Sequence, residues 1–206
     1  MARRLLYIYV EFSNRQQQET HMKPKGFSHV GMATLDLDKT REFYEGVLGF
    51  APVRCDSINL TDGGQIRHIF FDTGRDQLLA FMEIRGAPGI PKEFDAGINR
   101  ALGLPTICFH YAFEAGTEAA LEEKRQELVA KGVKVSPVVD HDWAKSIYFK
   151  DPNGLQLEFC TYTRAFNADD AVMKVRFEAS LKGLSMEDDV DVKAVEQRNP
   201  TGEAQR

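Results

Sequence analysis

The sequence predicts an α+β protein built from two copies of one βαβββ module, and two observations lead to this prediction. The order of local patterns is the same in both halves of the chain: one strand, one helix and three further strands. In addition, residues 71–81 lie over residues 149–159 without a gap, at a constant offset of 78 residues. Self-similarity at a fixed distance indicates a duplicated supersecondary unit.

The first module begins with an apolar strand predicted over residues 27–34. Asp38 is expected to cap a helix that buries one apolar face and ends at Gly49. Three strand patterns follow at about 51–55, 66–72 and 77–84, separated by the turn residues Gly63-Gly64 and Gly74-Arg75-Asp76.

The second module repeats this order. Its first strand is predicted over residues 107–113, and Thr117 is expected to cap a helix that ends at Gly132. The three further strands are predicted at 133–139, 145–150 and 155–161, with a tight turn at Asp151-Pro152-Asn153-Gly154.

These patterns divide the chain of 206 residues into three parts. Residues 1–25 are polar and without periodicity, and we expect an N-terminal extension. Residues 26–164 form the domain, with the modules at about 26–86 and 105–164. In residues 165–206 we expect a helix at about 168–183, followed by a disordered acidic tail.

Composition excludes several classes of function. The net charge is −5, so no positive field would attract nucleic acid. No apolar run approaches the roughly 20 residues of a membrane span. The three cysteines cannot all pair and match no zinc motif, which fits reduced thiols and a cytoplasmic location.

The residues that carry chemistry stand at equivalent places of the repeat. His29 and His110 each lie within the apolar first strand of a module, and Glu158 lies within an apolar last strand. A buried carboxylate must be neutralised by a cation or a base. Two imidazoles and one carboxylate form the facial triad of non-haem iron sites, so we expect a divalent metal here. The alternative is a buried Glu–His pair without a metal.

A fourth ligand position is filled by alanine. The repeat places Ala80 opposite Glu158, and alanine cannot bind a metal. Glu83 lies three residues further on, and an odd offset turns its side chain to the other face of a regular strand. We therefore expect a solvated glutamate at a strand end, although a β-bulge would bring Glu83 back as a doubtful fourth ligand.

Four further residues are candidates for the same site. His68 lies opposite Ser146 in the repeat and Phe70 lies opposite Tyr148, so these positions share one face of each sheet. Tyr148 is a candidate donor to a metal-bound oxygen, and His68 and Phe70 are candidates for substrate or ligand support. His141 precedes that strand on a loop, as a mobile acid or base or as a solvated histidine.

Three segments together resemble the vicinal oxygen chelate superfamily: Ser28-His29-Val30-Gly31, residues 40–50, and residues 151–158. That group includes glyoxalase I, bleomycin and fosfomycin resistance proteins, methylmalonyl-CoA epimerase and extradiol dioxygenases. The resemblance covers about residues 26–164. It implies a cupped eight-stranded mixed sheet around a metal, with helices outside and ligands on the first and last strands of the modules.

Extradiol dioxygenases are the members that this chain resembles most in its candidate ligands. They use His, His and Glu at the places of His29, His110 and Glu158, and carry a tyrosine and a loop histidine where Tyr148 and His141 fall. A further histidine of those enzymes falls near Gln77, where this chain departs from the pattern. The resemblance implies an oxidoreductase that acts on a small substrate with vicinal oxygens, with Fe²⁺ or Mn²⁺ favoured over Zn²⁺ or Ni²⁺.

Two other functions remain open from the sequence. A lyase or isomerase of glyoxalase I type needs Glu83 or a water as fourth ligand. A drug- or ligand-binding protein needs no chemistry in the cup. The strand pattern fits a cup within one chain or between two chains, and a homodimer is favoured.

Overall fold

The computed structural model describes residues 26–173, which contain eight strands and three helices. In chain order the elements are β1 (His29–Ala33), α1 (Leu37–Arg41), which continues as a π-helical segment (Glu42–Val47), β2 (Pro52–Asn59), β3 (Gln65–Asp72), β4 (Leu78–Arg85), α2 (Ile98–Ala101), β5 (His110–Glu114), α3 (Glu118–Ala130), β6 (Val139–Asp140), β7 (Ala144–Lys150) and β8 (Gln156–Tyr162).

The strands form two four-stranded sheets, in the orders β1-β4-β3-β2 and β5-β8-β7-β6. Each sheet is mixed, because its first strand pairs in parallel with its last strand and the other pairs are antiparallel. The predicted α+β class and the two βαβββ modules are confirmed. The eight strands are divided between two sheets, and β1 and β5 each form a sheet edge.

Strand pairing confirms the repeat residue by residue. The equivalent cross-strand pairs are Phe70–Ala80 with Tyr148–Glu158, and His29–Leu78 with His110–Gln156. Ala80 therefore occupies the place in the first sheet that Glu158 occupies in the second.

Each sheet has a core face and an outer face. Alternate residues of the central strands pack with the helices into one apolar core that both modules share. Phe50, which follows the helix of the first module, contacts Phe113 and Phe159 of the second, with ring centroids 5.0 and 6.4 Å apart. The outer faces, which carry the even-numbered residues of β3, β4, β7 and β8, are turned away from this shared core.

A buried polar contact joins the modules at the turn between β7 and β8. The hydroxyl of Tyr44 donates to Asp151 Oδ2 over 3.2 Å, and Asn153 bonds to Thr34 and Thr40. Burial raises the pKa of Asp151, although the amides of Asn153 and Leu155 donate to its carboxylate. The Asp-Pro-Asn-Gly turn thus also fixes the second module to the first.

The structure differs from the predicted elements at three places. Asp36, and not Asp38, caps the first helix, since its side chain accepts from Lys39 N and Asp38 lies within the first turn. The strand predicted at 133–139 is reduced to Val139–Asp140, since Pro137 lacks the N–H that a sheet ladder needs. The described start of the predicted helix at 168–183, residues 168–173, forms turns, and residues 174–183 lie outside the described part. So do the predicted extension at 1–25 and the acidic tail. Within residues 26–173, no helix has the length and apolar character of a membrane span.

Candidate metal centre

His110 and Glu158 meet on the outer face of the second sheet. β5 runs parallel to β8, and this places His110 Nε2 3.2 Å from Glu158 Oε2. The other carboxylate oxygen, Oε1, accepts a hydrogen bond of 2.5 Å from the buried hydroxyl of Ser146. Glu158 is itself buried, so its carboxylate has one oxygen held by the protein and one directed at an imidazole.

The charges at this pair are complementary. Burial pushes the pKa of Glu158 upward, but hydrogen bonds from His110 and Ser146 outweigh it, and the net pKa is lowered. The hydrogen bond to Glu158 raises the pKa of His110 against the effect of burial. The site therefore favours an ionised carboxylate beside a positive charge.

The orientation of His110 follows from the loop before β5. Its Nδ1 lies 3.2 Å from the carbonyl oxygen of Ile107, which can only accept, so Nδ1 carries a proton. Asn99 holds this loop, because its Oδ1 accepts from Phe109 N and its Nδ2 donates to the carbonyls of Phe109 and Thr106. With Nδ1 engaged, Nε2 is the nitrogen that faces Glu158.

These donors fit a divalent metal ion. When both nitrogens of His110 donate, the ring is an imidazolium. The proton on Nε2 then lies between Nε2 and Glu158 Oε2, where a metal ion bound by both atoms would lie. Atoms each about 2.1 Å from one ion lie about 3 Å apart when they are adjacent ligands, which matches the observed separation of 3.2 Å. A second partner on the ligating histidine, here the carbonyl of Ile107, is typical of metal sites.

Tyr148 and His141 extend this cluster. Tyr148 lies directly across from Glu158 in the β7–β8 ladder, and its hydroxyl is 2.9 Å from His141 Nε2. Burial, with the charge of Glu158 next, raises the pKa of Tyr148, so the phenol keeps its proton at neutral pH. The structure thus brings together four of the predicted site residues, His110, Glu158, Tyr148 and His141.

His29 lies on the outer face of the first sheet, together with the candidates His68 and Phe70. Its exposed ring contacts Phe70 edge-on at 5.7 Å, and Phe70 lies 4.2 Å from His68. Ser28 Oγ lies 3.0 Å from His29 Nδ1, which leaves Nε2 free of contacts within this group. Burial lowers the pKa of His68 against the opposing charge of Asp56, and the nearby His29 adds to the lowering, so His68 is mostly neutral at pH 7.

The structure does not bring His29 to His110 and Glu158. Among residues 26–173, no three His, Cys, Asp or Glu side chains are grouped closely enough to hold a metal ion. His29 belongs to one sheet and the His110–Glu158 pair to the other, and both outer faces are turned away from the shared core.

Glu83 is not the solvated residue that the sequence suggested. It is 1% exposed, on the core face of β4 beside Phe81. Its carboxylate accepts from Arg67 and Arg85 over 3.1 and 2.7 Å, and from Leu37 N at the start of α1. The β3–β4 register is continuous, so no bulge turns Glu83 to the outer face. The expectation was wrong because the N-terminus of α1 and two guanidinium groups compensate the buried charge.

The family model described as the Glyoxalase/Bleomycin resistance protein/Dioxygenase superfamily matches residues 26–159. The chain belongs to this superfamily. No curated protein matches the chain significantly. The superfamily assignment agrees with the resemblance that the sequence motifs carry.

Solved structures show the same fold. The antibiotic-binding protein TnmS3 of a Streptomyces species is 17% identical, with a TM-score of 0.50, over 69% of this chain and 100% of that chain. A glyoxylase/bleomycin resistance protein/dioxygenase domain from a Frankia species is 18% identical, with a TM-score of 0.50, over 68% of this chain and 99% of that chain. Lactoylglutathione lyase from Agrobacterium tumefaciens is 22% identical, with a TM-score of 0.47, over 68% and 96%. At 17% and 18% identity, the likeness to the first two concerns the fold alone.

The sequence analysis did not identify two residues that support the candidate ligands, Ser146 and Asn99. Ser146 was placed in the repeat only as the counterpart of His68, yet it holds Glu158. Its position two residues before Tyr148, on the same face of β7, is the signal that would have found it. Asn99 lies in the linker between the modules, outside the repeat, and no sequence pattern marks it.

Proposed function

We propose that the protein is a divalent-metal-dependent enzyme of dioxygenase type, with His29, His110 and Glu158 as metal ligands. The observation that carries this proposal is the contact of His110 with the buried carboxylate of Glu158. One nitrogen of the imidazole is engaged by a backbone carbonyl and the other is directed at an ionised carboxylate. Fe²⁺ or Mn²⁺ is the favoured ion for two imidazoles and one carboxylate.

The number of protein ligands supports the dioxygenase type over the glyoxalase I type. Ala80 stands at the place in the first sheet that corresponds to Glu158. Glu83, the other candidate, is engaged by two arginines on the core face. Three protein ligands would leave the ion able to accept two adjacent substrate oxygens and O₂, whereas the lyase type needs a fourth ligand, which here would have to be a water.

The metal, when bound, supplies Lewis acidity and open positions for the two oxygens of the substrate. The Tyr148 hydroxyl keeps its proton at rest. In the relay it passes that proton to His141 Nε2, 2.9 Å away, as it takes up the proton of a substrate hydroxyl beside Glu158, and the reverse transfer returns it later. Ser146 holds Oε1 of Glu158, so Oε2 is the oxygen that would hold the ion.

We further propose that a second copy of the chain completes the site. Both β1 and β5 are edge strands, and His29 and His110 are exposed on them. Since the two ligand-bearing faces are turned away from the core that one chain shares, His29 of one copy meets His110 and Glu158 of the other. His68 and Phe70 then form part of the opposite wall.

The test combines metal analysis with complementation between chains. His29→Ala and Glu158→Ala proteins, each reconstituted anaerobically with Fe²⁺, are expected to lose the bound metal and oxygen uptake with a panel of catechols. In a mixed dimer of the two variants, one site carries both substitutions and the other carries none. We therefore expect mixing by co-refolding to restore about one metal for each mixed dimer, and oxygen uptake with it.

Three outcomes would count against parts of this proposal. If mixing restores nothing although mixed dimers form, the two copies do not share a site. If wild-type protein binds metal but consumes no oxygen with any catechol, the dioxygenase type is wrong. If a metal-free preparation keeps full affinity for a small aromatic ligand and gains nothing from metal, the binding-protein alternative is favoured.

A further inference from the structure

Three aromatic side chains form an exposed cluster at one end of the second sheet. Trp143, Tyr162 and Phe166 are 37%, 52% and 57% exposed. Each ring contacts the other two: the centroids are 5.7 Å apart for Trp143 and Tyr162, 5.1 Å for Trp143 and Phe166, and 5.7 Å for Tyr162 and Phe166. Large apolar side chains scattered singly need no explanation, but a contiguous exposed group marks a binding surface.

The polar groups around this aromatic cluster hold it in place. Asp142 adopts a left-handed conformation, with φ of 70°, which redirects the chain just before Trp143. Thr163 binds this turn twice, since its N–H donates to Trp143 O and its hydroxyl donates to Asp142 O. Arg164 bridges Asp142 and Asp170, at 3.0 and 2.8 Å. The turn and the segment after β8 are therefore fixed to each other. The aromatic rings on these two segments are fixed with them.

The aromatic cluster is continuous with the proposed metal centre. Tyr162 shares the outer face of β8 with Glu158, four residues away, which corresponds to about 13 Å along a strand. His141 contacts both parts, because its ring is 6.4 Å from Trp143 and its Nε2 contacts Tyr148. One face of the second sheet thus has a charged, hydrogen-bonding end and an aromatic end.

We infer that Trp143, Tyr162 and Phe166 bind a flat apolar part of the ligand, at a distance from the atoms that the metal centre holds. Flat ring faces in water gain most by covering another flat apolar surface. A single ring held beside Glu158 does not extend across about 13 Å, whereas two linked or fused rings extend toward the aromatic cluster. The substrate class is therefore a compound of at least two rings, with adjacent oxygens at one end. The inference that the substrate has adjacent oxygens rests on the proposed function. The inference that the aromatic cluster binds a flat apolar group does not.

The sole tryptophan of the chain makes the test direct, because Trp143 lies in the aromatic cluster. Metal-depleted full-length protein is titrated with 2-naphthol and with decahydro-2-naphthol, which has the same carbon skeleton without planarity. We expect saturable quenching of Trp143 fluorescence by 2-naphthol, and calorimetric affinity at least about tenfold weaker for the saturated alcohol.

Substitutions locate the binding surface. Phe166→Ala is expected to weaken 2-naphthol binding about tenfold while Trp143 still reports it. Tyr162→Leu, which keeps apolar volume and removes the flat ring, should act in the same direction. Leu102→Ala is the matched control, because Leu102 is 59% exposed at the end of α2 and should leave the affinity unchanged.

The inference and the proposed function fail in different ways. Absence of quenching, equal affinity for the flat and saturated alcohols, or equal loss in Leu102→Ala would overturn the inference. A tighter binding of naphthalene-2,3-diol on addition of Fe²⁺ tests the metal centre separately. If 2-naphthol binds at Trp143 but Fe²⁺ adds nothing for the diol, the aromatic surface stands and the proposed metal centre does not.

Discussion

Replacing Glu83 with glutamine tests whether this carboxylate belongs to the fold or to the metal centre. The side chain keeps its shape, but the negative charge that faces Arg67 and Arg85 is lost. Because Glu83 lies on the core face of β4, away from the proposed ligands, we expect the protein to lose stability and keep its metal.

The magnitude follows from the exposure of each partner. The bond to Arg67, a half-buried side chain, is charge-assisted and contributes about 1.5–2 kcal/mol. Arg85 is mostly exposed, so its pair with Glu83 is worth about 0–1 kcal/mol. The amide of Leu37 keeps an acceptor in the glutamine carbonyl. The sum is about 1.5–3 kcal/mol, which does not exceed the lower end of the roughly 3–5 kcal/mol for breaking a fully buried pair, since Arg67 keeps Asp38 as a partner.

Thermal and urea unfolding measure this loss, which corresponds to a fall in Tm of roughly 3–12 °C for a chain of this size. Metal content of the reconstituted variant is measured in parallel. Arg85→Gln is the matched control and should lower the stability by about 1 kcal/mol or less. A Glu83→Gln protein with wild-type stability and no bound metal would refute the reasoning, because it would place Glu83 at the metal.

Four further expectations concern the core and the proposed metal centre. Tyr44→Phe removes the buried hydrogen bond to Asp151 and should lower the free energy of unfolding by about 1–2 kcal/mol in urea titrations, with no change in metal content. Asn99→Ala should weaken metal binding in competition with a chelator, beyond any loss of stability, because it frees the loop that orients His110. In metal-free protein the pair of His110 and Glu158 should stabilise the fold most at mildly acidic pH. Its contribution fades as pH rises through the raised pKa of His110 or falls through the lowered pKa of Glu158, and in pH-dependent unfolding Glu158→Gln should remove it. Below the pKa of His110, the apparent affinity for metal should fall about tenfold per pH unit, since binding displaces one proton.

Apart from the length of β6, pattern alone was sufficient for the repeated strands and their register. Alternation of apolar residues sets which face of a strand is buried, and a turn of fixed length sets the register of a hairpin, so the offset of 78 residues places Ala80 opposite Phe70 as Glu158 lies opposite Tyr148. The same alternation places Glu83 on the core face. Periodicity does not say what else reaches that face, and so the burial of Glu83 among two arginines and a helix start was missed.

Contacts between distant segments were beyond the sequence. Asn99 holds Phe109 from a linker helix of four residues, and Tyr44 reaches Asp151 across more than 100 residues. Neither contact repeats at a fixed spacing, because each depends on how the modules and the linker pack. The position of His29 relative to His110 and Glu158 could not be predicted for the same reason. All three residues lie on predicted strands, but the packing of the modules decides which strand faces meet.

The outer faces of the two sheets carry different side chains, and this difference affects which substrates the proposed cup accepts. At matched positions, Ser146, Tyr148 and Glu158 of the second sheet correspond to His68, Phe70 and Ala80 of the first. The second sheet therefore carries the buried carboxylate and the groups that hold it, while the first offers a neutral histidine, a phenyl ring and a methyl group around His29. A wall of this chemistry adds one ligand and apolar contact, but no charge. A cup made of both faces suits a flat apolar substrate whose oxygens all lie at one end, which is the same requirement that the aromatic cluster sets at the far end of β8.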